Sequence, residues 1–139
     1  MKHRLLLLLC LTSSACAHMH PPVDYVPPEE AAWFRLPYDL PQAGKEIFSG
    51  DMATAIQLAM DDFLPRHIHP HEDASPRERC LNQRQAYDVY AAPLNEEVML
   101  VQIVTSPGAC ALERAAVSSM GATYAVDVRH WRILAFQRP

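Results

Sequence analysis

Apolar residues recur at helical spacing in one stretch of the chain, between positions 52 and 63. The stripe follows an i, i+3, i+4, i+7 pattern and consists of Met52, Ala55, Ile56, Ala59, Met60 and Phe63. Ser49 or Asp51 can cap such a helix, and Pro65 ends it. A helix with one apolar face must bury that face against another element, so the rest of the chain has to supply a complementary apolar surface.

The second half of the chain has the patterns of β-strands. Apolar and polar residues alternate over 87–91, and the run 98–104 is apolar on both faces, with a hairpin turn at 93–97 between them. Segments 123–128 and 131–136 indicate a second hairpin. We therefore predict an α+β fold in which one amphipathic helix packs on a small antiparallel sheet of three to five strands.

The first 17 residues have the composition of a secretory signal peptide. A short basic start, Lys2 and Arg4, precedes an apolar run over 5–11, and small residues follow it. The apolar run is too short to span a bilayer as a helix. We therefore predict that the chain is exported.

Two kinds of signal cleavage fit residues 13–17. Ser13-Ser14-Ala15-Cys16 resembles a bacterial lipobox, whose cysteine becomes the lipidated first residue, although Ser13 stands where leucine is usual. Ala15-Cys16-Ala17 also fits ordinary signal peptidase, which would release a soluble periplasmic or secreted protein. We favour lipidation of Cys16 and hence a membrane-anchored lipoprotein of the bacterial cell envelope.

Prolines separate the signal from the predicted domain. Residues 18–44 contain six of them, at 21, 22, 27, 28, 37 and 41, with little periodicity. Such a segment favours an extended tether. We therefore divide the chain into a signal peptide (1–17), a proline-rich tether (18–44) and a small α+β domain (45–139).

Two cysteines, Cys80 and Cys110, remain in the predicted domain. In an exported chain an even pair of cysteines most simply forms a disulfide. Closing a loop of about 31 residues would stabilise the fold by roughly 3 to 4 kcal/mol in the chain-entropy model. A small domain with a modest core benefits from such a cross-link.

The charge balance limits the class of partner. Removal of Lys2 and Arg4 leaves 10 basic residues against 16 acidic ones, a net charge of −6 with histidines neutral. Nucleic acids and anionic lipid surfaces attract clustered Lys and Arg instead. We therefore expect no nucleic-acid partner, and membrane attachment through the lipid anchor alone.

The segment Arg66–Asp73, with the sequence RHIHPHED, holds three histidines at alternate positions in a polar stretch predicted to be a loop over 65–79. Zinc and copper prefer imidazole nitrogen, so His67, His69 and His71 are the candidate metal ligands. Pro70 bends the path between the second and third histidines, and no rigid element supports them. We expect weak zinc or copper binding and no dedicated cofactor.

Catalytic motifs are absent from the sequence. It has no glycine-rich phosphate loop, no nucleophile elbow and no His-Glu-x-x-His helix. Asp127 and His130 are three residues apart at a predicted hairpin turn, where a dyad could form, but no nucleophile accompanies them. We therefore expect a protein that is not an enzyme.

The order of elements over Ser49 to Arg138 resembles small secreted α+β domains of the cystatin-like and nuclear-transport-factor-like types found in bacterial lipoproteins. The final hairpin, from Tyr124-Ala-Val-Asp127 to Arg132-Ile-Leu134, carries much of this resemblance. The resemblance implies a scaffold that binds or blocks a partner. The functional hypothesis is a non-catalytic, lipid-anchored interaction or accessory domain with a protein partner in the envelope; the alternative is a metal-handling protein that uses loop 66–73.

Lipidation of Cys16 predicts a change in membrane partitioning. Cys16→Ser should move the protein from the detergent-soluble membrane fraction to the soluble fraction, because the acyl chains supply the membrane affinity. Fractionation followed by immunoblotting measures the shift. Unchanged partitioning would contradict lipidation and favour ordinary cleavage after Ala17.

Overall fold

The structure is a computed structural model that describes residues 25–111 and 120–139. The predicted signal peptide with Cys16 lies outside the described residues, as does segment 112–119. The chain divides into two units between Ala43 and Gly44, one residue from the boundary predicted from composition. None of the helices in the described ranges has the length and apolar character needed to cross a membrane.

The described part of the tether, residues 25–43, consists of turns and irregular backbone. Hydrogen-bonded turns occur over 28–33, where the Glu30 N–H donates to the Pro27 carbonyl at 3.0 Å and the Phe34 N–H donates to the Ala31 carbonyl at 3.0 Å. Prolines remove backbone donors and restrict φ, so regular helix and strand pairing are disfavoured in this segment.

Helix α1 extends over Gly50–Phe63 and confirms the helix predicted from the apolar stripe. The side chain of Ser49 caps it by accepting a hydrogen bond from the Met52 N–H at 3.1 Å. At the other end the Leu64 N–H donates to the Met60 carbonyl, and Pro65 then prevents continuation.

Four antiparallel strands form one sheet in the order β1-β2-β3-β4, so each strand pairs with its neighbours in sequence. Their bounds are β1 Tyr87–Pro93, β2 Val98–Thr105, β3 Gly121–Asp127 and β4 Arg132–Gln137. Both predicted hairpins are present, and the pairing of β3 with β4 contains one bulge. The predicted α+β fold, one main helix with a small antiparallel sheet, is confirmed.

The hydrophobic core lies between α1 and the two central strands. Ala55 and Ala59 of α1 have no solvent exposure and belong to one cluster with four fully buried side chains of the sheet, Val101, Ile103, Tyr124 and Val126. The small alanine side chains allow the helix to approach the larger side chains of the sheet. The face of the sheet toward α1 is therefore buried in the core.

A second helix, α2 at Pro76–Leu81, begins within the segment predicted as a loop, and that prediction was wrong at this end. The Ser75 side chain accepts from the Glu78 N–H, and the Glu78 carboxylate accepts from the Ser75 N–H at 2.7 Å. This capping box, with Pro76 in the first turn, starts a helix whose residues lack an apolar stripe. Periodicity alone therefore missed it.

The predicted disulfide between Cys80 and Cys110 is present, with its Cα atoms 5.5 Å apart. Cys80 lies in α2, and a short 3-10 turn at Arg84–Ala86 separates it from β1. Cys110 lies in a second short turn after β2. The cross-link ties α2 to the end of the first hairpin, because that hairpin brings the two ends of segment 80–110 back together.

Arg84 closes the carboxyl end of α1. Its guanidinium donates to the carbonyls of Met60 and Leu64 at 3.3 and 3.1 Å and pairs with Asp61. The desolvation of Asp61 would raise its pKa, but the pairs with Arg84 and Arg66 outweigh it and hold that pKa below its usual range. The cation thus satisfies the Leu64 carbonyl, gives the Met60 carbonyl a second donor, and offsets an acidic residue at the negative end of the helix.

Removal of the disulfide should destabilise the domain. Replacing both cysteines by serine should lower the free energy of unfolding by about 3 kcal/mol, because the unfolded chain regains the entropy of an open loop. Urea denaturation of the native and doubly substituted proteins gives the difference.

In the unsubstituted, unreduced protein neither Cys80 nor Cys110 should react with a maleimide probe. Two reactive thiols would contradict the cross-link.

Candidate functional site

The face of the sheet opposite α1 is organised in rows that run across the strands. Because successive side chains along a strand alternate between faces, the residues next in sequence to the buried ones lie on this second face. The strand register places two central rows on it: Tyr90, Gln102, Thr123 and Gln137 form the first, and Ala92, Leu100, Ala125 and Ala135 form the second. We call these eight residues the open face.

No residue of the open face carries a charge. Charged side chains occur in the flanking rows, Asp88 at one end and the Asp127–Arg132 pair at the other. Solvent-facing sheet surfaces are polar and commonly include charged side chains, whereas the centres of protein interfaces are depleted of charge and enriched in tyrosine. Tyr90 is 60% exposed. The open face therefore has the composition of a contact surface.

A groove with a volume of about 510 Å³ lies along one end of the open face. Tyr90, Gln102, Thr123 and Gln137 line it, together with Asp88 and Gly121. The Asp88 carboxylate accepts a hydrogen bond from the Ser106 hydroxyl at 2.6 Å. Glycine is required at position 121, because a Cβ atom there would overlap the Ile103 carbonyl oxygen.

A shallower depression of about 250 Å³ adjoins this groove and shares Thr123 and Gln137 with it. Leu100, Ala125 and Ala135 complete its lining on the open face. The small side chains of the second row leave space above the backbone of β3 and β4. The two depressions together form a surface with amide and hydroxyl groups at one end and apolar groups at the other.

Asp127 organises the turn between β3 and β4. One carboxylate oxygen accepts from the backbone N–H groups of Arg129 and His130 at 2.9 and 3.2 Å. The other accepts from His130 Nδ1 at 2.9 Å and from Arg132 Nε at 3.0 Å. Four hydrogen bonds on one carboxylate stabilise its charged form, and the bond from His130 contributes most to holding the pKa of Asp127 well below its usual range.

The Asp127–His130 contact has the geometry of the orienting half of a dyad. Among the described residues, the His130 ring makes one hydrogen bond, which it donates to Asp127. The same carboxylate also holds two backbone amides and Arg132. These hydrogen bonds explain the Asp127–His130 pair as a contact that stabilises the turn between β3 and β4.

The three histidines of the 66–73 loop are solvent-exposed. The loop is anchored by Asn82, whose side-chain amide donates to the Ile68 carbonyl at 3.2 Å, and by Arg79, which donates to the Glu72 carbonyl at 3.3 Å. Within the residues that the structure describes, no group of three His, Cys, Asp or Glu side chains is arranged to hold a metal ion. The structure therefore does not gather His67, His69 and His71 into one site.

No protein-family profile, curated protein or solved structure matches this chain. The resemblance to cystatin-like and nuclear-transport-factor-like domains therefore stays a prediction from the order of the elements. Lipidation of Cys16 likewise stays a prediction, because that residue lies outside the described ranges.

Sequence reasoning did not find the open face. Tyr90, Gln102 and Gln137 are far apart in sequence, and each is an ordinary polar residue of a strand. The detectable signal was a pair of uncharged residues at alternate positions in each of the four strands. These pairs become a surface only when the register aligns them.

The hydrogen bonds of Asp127 predict a pH-dependent contribution to stability. Because the folded protein lowers the pKa of this carboxyl, its stabilisation is present above the unfolded pKa of about 4 and is lost as the pH falls through the folded pKa. Asp127→Asn should therefore lower the melting temperature clearly at pH 7 and less at the acidic end of the accessible range. Thermal melts at both pH values measure this, with Asp73→Asn in the exposed loop as the control. An equal loss at both pH values would contradict it.

Proposed function

We propose that this protein is a non-catalytic interaction domain of the bacterial cell envelope, anchored through lipid at Cys16, that contacts a partner protein through the open face. The observation that carries the proposal is the pair of uncharged central rows on the side of the sheet away from α1. A single helix can cover one face of a sheet, and the second face then either is solvated or receives a partner.

The chemistry of the open face supports a protein ligand. Tyr90 offers a rigid aromatic ring with a hydroxyl group, and Gln102 and Gln137 offer amides that both donate and accept hydrogen bonds. The depression at Leu100 and the alanines can receive an apolar side chain. A centre with these groups, framed by charged rows, corresponds to the core and rim of a protein interface.

The remaining features agree with an exported, anchored domain. Disulfides persist in oxidising compartments outside the cytosol, and the Cys80–Cys110 cross-link would survive there. The proline-rich segment would separate the domain from the membrane by a tether. The acidic charge balance of the mature chain supports a protein partner over a nucleic acid or an anionic lipid surface.

A pair of exposed glutamines gives a matched test. A photo-crosslinking amino acid at Gln102 on the open face should give an adduct of discrete mass when the protein is irradiated in its native envelope. The same amino acid at Gln57, exposed on α1, should not, because the helix surface lies on the other side of the sheet. Gel electrophoresis after irradiation measures the adducts. Identical adduct patterns from the two positions would argue against the open face as the contact surface.

The alternative function, metal handling by loop 66–73, predicts a different result. Isothermal titration of the protein with zinc and copper would detect tight binding, and replacing His67, His69 and His71 together by Asn would abolish it. The crosslinking test does not depend on metal, so the two functions can be distinguished.

A further inference from the structure

Strand β4 forms one outer edge of the sheet in the described part of the chain, so one side of its backbone has no strand partner there. Two large apolar side chains on this strand are exposed, Leu134 by 51% and Phe136 by 57%. Arg132 and Arg138 flank them, and the Arg138 guanidinium lies 5.9 Å from the centre of the Phe136 ring. An unpaired edge with exposed apolar groups is a template for another strand.

The opposite edge, β1, is protected in ways that β4 is not. Strand β1 ends at Pro93, which has no N–H to donate, and it carries the charge of Asp88 among its exposed residues. Between Arg132, its first residue, and Arg138, which follows its last residue, β4 has no proline and no charge. In the described part of the chain, the bulge against β3 and the exposed charge of Arg132 protect this edge. The two edges therefore differ in how readily they can accept a strand.

The surroundings of β4 would also receive the side chains of an added strand. Neighbouring strands lie about 4.8 Å apart, so alternate side chains of an added strand would reach both faces beside β4. On one face lies the depression lined by Ala135 and Gln137. On the other lies Phe136, whose ring stacks on Tyr124 at 5.9 Å. Main-chain pairing would supply affinity, and these two contacts would select apolar side chains.

The arginines determine which kind of strand fits. Two copies of β4 paired antiparallel about Ala135 would set Arg132 of one copy against Arg138 of the other at both ends. The Asp127 carboxylate offsets part of the Arg132 charge, and the remaining repulsion between like charges is destabilising. We propose that the outer edge of β4 is a strand-addition site for an extended, apolar segment of a partner protein that carries acidic residues beside Arg132 and Arg138. This inference rests on the proposed function in that both require a protein partner.

The test uses the full-length chain purified in detergent and two fluorescein-labelled octapeptides of alternating valine and threonine, one with glutamate and one with lysine at both ends. The glutamate peptide should bind about tenfold more tightly, and the preference should shrink in high salt because ions screen exposed charges. Arg138→Gln should reduce that preference. Fluorescence anisotropy measures the binding.

Neutral substitutions separate the edge from the rest of the surface. Leu134→Asn combined with Phe136→Asn should weaken binding by about tenfold, since the exposed apolar area is lost without a change of charge. Leu94→Asn, at an exposed leucine in the turn after β1, should leave binding unchanged. Circular dichroism melts verify that the variants are folded.

Three outcomes would overturn the proposal: no binding of the glutamate peptide, equal binding by the double variant, or a dimer in sedimentation analysis that the double variant abolishes. The last outcome would identify a second copy as the occupant. Crosslinking at Gln102 reports on contact at β2 in the centre of the open face and does not require strand pairing at the edge of β4, so a failure at the edge can be told apart from a failure of the proposed function.

Discussion

The packing of α1 against β2 and β3 is the contact on which the rest of the domain depends. Ala55 and Ala59 are fully buried on the helix, and the sheet supplies the bulk of the core through Ile103, Tyr124 and Val126. Because the helix side chains at this contact are small, the two elements approach closely and leave little room for rearrangement. Replacing either alanine by a larger residue would push the helix from the sheet.

Polar contacts then hold the periphery of the core in place. The Tyr124 hydroxyl reaches from the buried face to Asp62 on α1 at 3.0 Å, and burial together with this bond raises the pKa of Tyr124 to about 12. Arg84 closes the end of the helix, Asp127 organises the last turn, and the Cys80–Cys110 disulfide fastens α2. The hydrogen-bonded contacts satisfy polar groups that the apolar core cannot satisfy, and the disulfide restricts the chain covalently.

The small number of elements in the domain accounts for the proposed contact surface. One helix covers one face of the sheet, and the side chains of the other face form uncharged rows beside the unpaired edge of β4. A partner that approached over the open face would meet Gln137 and Ala135, which belong to β4 as well as to the two depressions. The open face and the β4 edge are therefore adjacent, and one partner protein could engage both.

The sequence by itself determined the elements whose signals are local. The stripe from Met52 to Phe63 predicted α1, alternation and apolar runs predicted both hairpins, and the two cysteines of the domain predicted their disulfide. These signals work because helical and strand periods are read within one segment. Helix α2 was not predicted from the sequence, because its stability comes from a capping box and a cross-link and not from an apolar stripe.

Tertiary structure alone decided which residues share a surface. The open face depends on the register of three strand pairings, and a shift by one residue would exchange its uncharged rows with the core. The four hydrogen bonds on Asp127 depend on the path of one turn, and the separation of His67, His69 and His71 from other ligands depends on how their loop is anchored. Local patterns specify elements, but the energy of a surface or a site comes from contacts between residues that only folding brings together.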